Sequence, residues 1–162
     1  MVTIRKATIN DLEAITVIYN DAIINTMATF DTQPKNLEEQ KVWFDRHDSK
    51  RPILIAEMDG DVVGWASLSE WADRCAYSDA AELSIYIRKE NRGKGIGKNL
   101  LEVTLQEGKK VGLHTIIARI EKRNEVMIHV LEKYGFVRIG VMREVGRKFG
   151  KLLDVVLMQI IL

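Results

Sequence analysis

The stretch Arg92-Gly93-Lys94-Gly95-Ile96-Gly97-Lys98 concentrates residue types suited to holding phosphate. Its glycines stand at alternate positions, with cations between and beside them. Glycine lets the backbone approach a bulky group and reach conformations that other residues avoid. A helical apolar repeat follows, from Leu100, Leu101, Val103, Thr104 and Leu105 to Val111. Backbone N–H groups at such a helix start point at whatever binds there, and the helix dipole favours an anion. The implied chemistry is capture of a phosphate or pyrophosphate. A P-loop does not fit, because Arg92 stands where its first glycine belongs and Asn99 follows the lysine. A dinucleotide loop needs a glycine where Lys98 stands, and normally lies in the first strand–helix unit of a chain. What remains is Arg-x-x-Gly-x-Gly, formed by Arg92, Gly95 and Gly97, with an ordinary left-handed turn as the plain alternative.

Other chemistry-bearing residues are scattered. Cys75 is the only cysteine, which excludes an internal disulfide and fits a reducing compartment. A cysteine nucleophile lacks an orienting third group or an elbow motif, so Cys75 reads as a lone, partly buried thiol. His47, His114 and His129 lie far apart without metal-ligand spacing, and no metal is expected. A net charge of +1 gives no reason to expect nucleic acid or an anionic membrane as partner. No apolar run approaches the ~20 residues that a membrane helix needs. Met1 to Lys6 lacks the apolar core of a signal peptide, and a cytoplasmic protein is expected. With 46% hydrophobic and 29% charged residues in 162, the chain suits one globular domain, residues 1–162.

The elements that must position the loop can be read in order. Val2 to Ala7 alternates as a first strand. Asn10-Asp11 reads as the cap of a helix carrying Leu12, Ile15, Ile18, Ala22 and Ile23. An irregular segment with Phe30 follows, and Asn36 with Glu39 forms a capping box for a second helix. Ile53–Met58 and Val62–Leu68 are strands joined by a tight turn at Asp59-Gly60-Asp61. Glu70 to Asp79 is a loop, and Ala81 to Ile87 is the central strand that enters the glycine loop. After the long helix come a strand at His114–Ile120 and a helix capped by Asn124, with Met127, Ile128, Leu131 and Tyr134 on one face and Gly135 ending it. Phe136–Val141 and Leu152–Ile160 are the last strands, and Gly146, Lys148, Phe149 and Gly150 are assigned to the hairpin between them. The fold class is α/β (α+β mixed), a mixed sheet flanked by helices. Trp43, Trp65 and Trp71 read as core or dimer contacts.

The loop resembles the pyrophosphate loop of the GCN5-related N-acetyltransferase (GNAT) superfamily, whose fold has a mostly antiparallel central sheet. The order of elements matches that superfamily along essentially the whole chain. Within it the sequence is similar to the phosphinothricin and methionine-sulfone N-acetyltransferases. Ile18-Tyr19-Asn20-Asp21-Ala22 with Thr29-Phe30-Asp31-Thr32 carries that similarity. So do Trp71-x-x-Arg74-x-Ala76-Tyr77, Glu82, Ser84-Ile85-Tyr86-Ile87, and Gly146-x-Lys148-x-Gly150-x-x-x-Asp154-Val155-x-x-x-Gln159.

The resemblance implies acetyl-CoA as cosubstrate, a small amino-acid-like amine as acceptor, and a homodimer. It gives Glu82 the role of catalytic carboxylate, acting directly or through a water, since an amine attacks a thioester only as the neutral base. Ile85, Tyr86 and Ile87 would pair with the pantetheine amides as an added strand does, and an N–H near Ile85 would stabilise the oxyanion. Arg92, Gly93, Lys94, Gly95, Ile96, Gly97 and Lys98 would hold the pyrophosphate, and Asn124 would contact the cofactor, cap its helix, or do both. Phe30, Arg74, Tyr77, Glu82, Leu83 and Ser84 would surround the acceptor, with the Arg74 guanidinium gripping its carboxylate. Relatives often carry Tyr or His four residues before the Gly-Phe, as acid to the departing thiolate; here that residue is Leu131. A peptide or protein N-terminal acetyltransferase and a non-catalytic acyl-CoA sensor are the alternative functions.

Overall fold

The computed structural model describes residues 1–162. Seven strands are present: Val2–Lys6 (β1), Ile53–Met58 (β2), Asp61–Glu70 (β3), Ala80–Ile87 (β4), Thr115–Glu121 (β5), Val137–Lys148 (β6) and Lys151–Ile161 (β7). Four helices accompany them: Leu12–Asn25 (α1), Leu37–Asp45 (α2), Ile96–Lys110 (α3) and Glu125–Lys133 (α4). The strands form one sheet in the order β1-β2-β3-β4-β5-β7-β6. Every neighbouring pair is antiparallel except β4 and β5.

The central strands are covered on both faces, which explains the unbroken apolar run Ile53-Leu54-Ile55-Ala56. Ile53, Ile55 and Trp65 pack with Ile15 and Ile18 of α1. Leu54, Ala56 and Ala66, pointing the other way, pack with Ile96 and Leu100 of α3. A larger cluster joins Leu101 of α3 and Ile128 and Leu131 of α4 to Leu83, Ile116, Ala118 and Met158 of the sheet. Leu131 is fully buried in that cluster.

Local signals mostly produce the expected elements. Asn36 accepts from the Glu39 amide at 2.8 Å while Glu39 accepts from the Asn36 amide at 2.9 Å, closing the box at the start of α2. Asp59 and Gly60 both have positive φ, as a two-residue hairpin between β2 and β3 requires.

Three readings are corrected. Asp11 holds the N-cap position of α1, but its side chain makes no cap bond there; it ends a 3₁₀ turn, Ile9–Asp11, and its carboxylate accepts from the Thr8 amide at 2.7 Å and from Arg5 at 2.8 Å. Gly146 and Lys148 are not turn residues, because β6 runs on past bulges to Lys148 and Phe149-Gly150 alone turns the chain. Cys75 is exposed, on a 3₁₀ turn at Cys75–Tyr77, because the loop around it packs against no core.

Candidate active site

The parallel pairing of β4 with β5 covers only Ala80–Glu82 against Thr115–Ile117. Beyond Glu82 the two strands part, although β4 continues to Ile87 and β5 to Glu121. On its other side β4 stays paired with β3 as far as Ile87. Leu83 to Ile87 therefore carry alternate backbone N–H and C=O groups that face a gap rather than a strand. Such groups seek a partner, and an extended chain with amides supplies one.

Two cavities open from the gap. A cleft of about 820 Å³ runs along Ile85–Ile87, past Arg92, Gly93 and Gly95 to Lys98, to the start of α4 at Asn124 and Met127. A cavity of about 380 Å³ lies on the other side, lined by Glu82 to Tyr86, Ala118 to Glu121, Tyr19 and Ala28 to Asp31. Ile85, Tyr86, Asn124 and Met127 line both, so the two meet where the strands separate.

The glycine loop ends in an uncapped helix. Gly93 and Gly95 have φ of 76° and 82°, conformations in which a side chain is strained. Gly95 is the residue before α3 and no side chain caps that end. The first intrahelical bond runs from the Asn99 amide to the Gly95 carbonyl, leaving the amides of Ile96, Gly97 and Lys98 without a helical partner. Arg92 is held beside them, its Nε donating to the Ile87 carbonyl at 3.0 Å. Lys94 is exposed and outside the cleft lining. Asn124 accepts from the Met127 amide at 3.2 Å and so caps α4 while lining the cleft.

The smaller cavity collects charge and phenols. Both Glu82 carboxylate oxygens accept from Arg119, at 2.7 Å from Nε and 2.7 Å from Nη2. Arg119 lies over the Trp71 ring, 5.7 Å from its centroid. Tyr86 packs edge-on or tilted against Tyr19 and Trp65, with ring centroids 5.2 and 4.9 Å away. Burial pushes the Tyr86 phenol up to about 12, so it stays protonated at neutral pH. Burial raises Tyr19 as well, and its hydroxyl pairs with the Asp31 carboxylate and, at 3.0 Å, with Thr29 Oγ1. The loop carrying Thr29 is held from β6: the buried Lys148 ammonium donates to the Thr29 carbonyl at 2.9 Å. Burial lowers Lys148, and Asp31 opposes that shift.

The structure brings Phe30, Glu82, Leu83 and Ser84 to the smaller cavity, and Ile85, Tyr86 and Ile87 to the gap. Arg74 and Tyr77 are exposed on the loop before β4, outside the cavity lining, with Arg74 Nη1 donating to the Asp73 carbonyl at 3.0 Å. The guanidinium inside the cavity is Arg119. Sequence reasoning passed over it because it reads as one more residue of an apolar strand. Its alternation to the exposed side between buried Ala118 and partly buried Ile120 was the available signal.

A sheet split at its one parallel pair, with an uncapped glycine-led helix at one mouth of the split and a carboxylate at the other, suits an enzyme that binds an acyl-nucleotide thioester. Residues 4–157 match the acetyltransferase (GNAT) domain family, and the chain belongs to it. The chain is therefore an acetyltransferase with acetyl-CoA as cosubstrate. It is 39% identical over 160 residues to an L-methionine sulfoximine/L-methionine sulfone acetyltransferase of Pseudomonas aeruginosa, covering 98% of this chain and 93% of that one. It is 32% identical over 159 residues to a phosphinothricin N-acetyltransferase of Streptomyces coelicolor, covering 95% and 92%. The phosphinothricin acetyltransferase of Sinorhizobium meliloti, solved in complex with acetyl-CoA, superposes with a TM-score of 0.95 at 34% identity, covering 99% of this chain and 88% of that one.

Proposed function

We propose that the protein transfers acetyl from acetyl-CoA to the amine of a small amino-acid-like acceptor of the methionine sulfone, methionine sulfoximine or phosphinothricin type. The observation that carries the reading is the parting of β4 from β5 directly after Glu82. The pantetheine amides pair with the free edge of Leu83–Ile87, and the pyrophosphate rests on the amides of Ile96–Lys98 between Arg92 and Lys98. This sets the thioester near Ile85, where the two cavities meet.

The acceptor enters as an ammonium. Glu82 takes one proton, directly or through a water, and the free amine attacks the thioester carbonyl carbon. An N–H near Ile85 stabilises the oxyanion. The C–S bond then breaks, and the thiolate leaves as thiol by taking the second ammonium proton. Glu82 returns its proton to solvent, so one proton is released per acetyl transferred. Leu131, in the position where relatives often carry Tyr or His, is fully buried and holds no proton, which fits a proton returning from the acceptor nitrogen itself.

A cavity of about 380 Å³ suits a free amino acid rather than a polypeptide, which supports this acceptor class over a peptide N-terminus. The reading includes one domain over the whole chain and a cytoplasmic enzyme, in keeping with a single exposed cysteine. It includes a homodimer, supported by the exposed apolar side chains of Val137, Ile139, Val141 and Val145 on the edge strand β6. Free thiol released from acetyl-CoA, measured across a panel of amines, tests it. Release that depends on methionine sulfone or phosphinothricin is expected; release only with peptides, or with no acceptor at all, would overturn it.

A further inference from the structure

Ser69 of β3 lines the smaller cavity and stands directly opposite Glu82 of β4 in the antiparallel register. Opposed residues project to the same face of the sheet, with β-carbons about 5 Å apart. Behind Ser69 is His47, half-buried just past the end of α2. Its Nδ1 lies 2.8 Å from the Trp43 carbonyl and its Nε2 lies 2.9 Å from Ser69 Oγ. A carbonyl only accepts, so Nδ1 carries a ring hydrogen. Burial holds the imidazole below its ordinary value of 6.5, with Arg51 adding to the shift and the Trp43 carbonyl and Asp48 opposing it. At neutral pH the ring is therefore neutral, and Nε2 accepts. The Ser69 hydroxyl has to donate to it. Ser67 Oγ, 3.5 Å away, is then the donor in its contact with Ser69, which has no second hydrogen. Toward the cavity Ser69 can only accept.

We propose that Ser69, oriented by His47, receives the N–H of the incoming amine that is kept in the product. An ammonium brings three hydrogens to the site. One goes to Glu82, one goes to the departing thiolate, and the third stays on the amide nitrogen. Ser69 holds the third from ammonium to amide, which leaves the nitrogen lone pair turned to the thioester. His47 positions the hydroxyl and passes no proton, because its Nδ1 hydrogen rests on a carbonyl that cannot take it. The proposal deepens the amino-acid acetyltransferase reading and rests on it.

The test compares ligands with and without the nitrogen. Binding to the CoA-loaded protein is measured by calorimetry for methionine sulfone and for its deamino analogue, 4-(methylsulfonyl)butanoate. Wild type, Ser69→Ala and His47→Phe are compared, with thiol-release kinetics on methionine sulfone. Ser69→Ala is expected to raise Kd and KM for methionine sulfone ~10-fold, the loss typical of a hydrogen bond to a charged group. Its kcat should stay within about threefold, because the contact is the same before and during transfer. The deamino analogue offers no N–H, so its Kd should change less than about twofold. His47→Phe keeps a ring but lets the hydroxyl turn, and should show a smaller loss in the same sense. Nitrogen–proton correlation spectra of the wild type should show the His47 ring protonated at Nδ1, a result independent of whether His47→Phe folds. Equal losses for both ligands in Ser69→Ala, or a ring protonated at Nε2, would overturn the proposal. Unchanged methionine sulfone affinity in Ser69→Ala, beside normal acetyl transfer by the wild type, would overturn it while leaving the acetyltransferase reading intact. Amine-selective binding that Ser69→Ala abolishes, in a protein that releases no thiol, would uphold Ser69 and defeat that reading.

Discussion

At the scale of single residues, the site divides labour between a carboxylate that can accept a proton and phenols that cannot. Glu82 faces the acceptor cavity, whereas burial keeps Tyr86 protonated until about pH 12. Glu82→Gln should therefore lower kcat by ~10²-fold or more, the scale of a lost general base, while acetyl-CoA affinity measured by calorimetry stays within a few-fold. Tyr86→Phe is the contrast: it should leave the shape of the kcat–pH profile unchanged below pH 10, because the phenol does not titrate there. Near-normal turnover in Glu82→Gln across that range would remove it from the mechanism. The glutamate could be picked out through the family resemblance. Its partner could not, because Arg119 lies 37 residues further along and meets it only through the β4–β5 pairing.

At the scale of elements, the glycine loop matters through backbone conformation rather than packing. A β-carbon at Gly95 would meet no protein atom within 4 Å, yet the residue sits at a φ of 82°. Gly95→Ala should thus cost about 1–2 kcal/mol of stability from the left-handed backbone. It should also raise the Kd for acetyl-CoA several-fold in calorimetry, since the strain falls on the amides proposed to hold the pyrophosphate. This loop was legible because its signals are local: glycines, flanking cations and a following helix within one stretch. The capping box of α2 was legible for the same reason. The end of β6 was not. Gly146 read as a turn residue, but the strand runs through it past a bulge and is held by pairing with β7, which no local pattern encodes.

At the scale of the whole molecule, the N-terminal strand is tied to the helical layer by charge. Arg5 bridges Asp11 and Glu57, and hydrogen bonding from Arg5 holds the Asp11 carboxyl below its ordinary value of 3.8. A depressed folded value means stability that is present above pH 3.8 and is lost as pH falls through the folded value. Asp11→Asn should lower stability at pH 7 by about 1–3 kcal/mol in urea unfolding. It should also flatten the fall in stability below pH 4 relative to the wild type; a parallel fall would contradict the assignment. The sequence suggested a helix cap here because Asp11 precedes α1, whereas a partner on β1 claims the side chain.

The split between β4 and β5 is the feature from which the account of acetyl transfer starts. Amide hydrogen exchange across that split, with and without acetyl-CoA, tests it most directly. The account predicts that alternate amides of Leu83–Ile87 and those of Ile96–Lys98 become strongly protected when acetyl-CoA is added, while β6 and α2 are unaffected. Unchanged exchange in both stretches at saturating acetyl-CoA would contradict it.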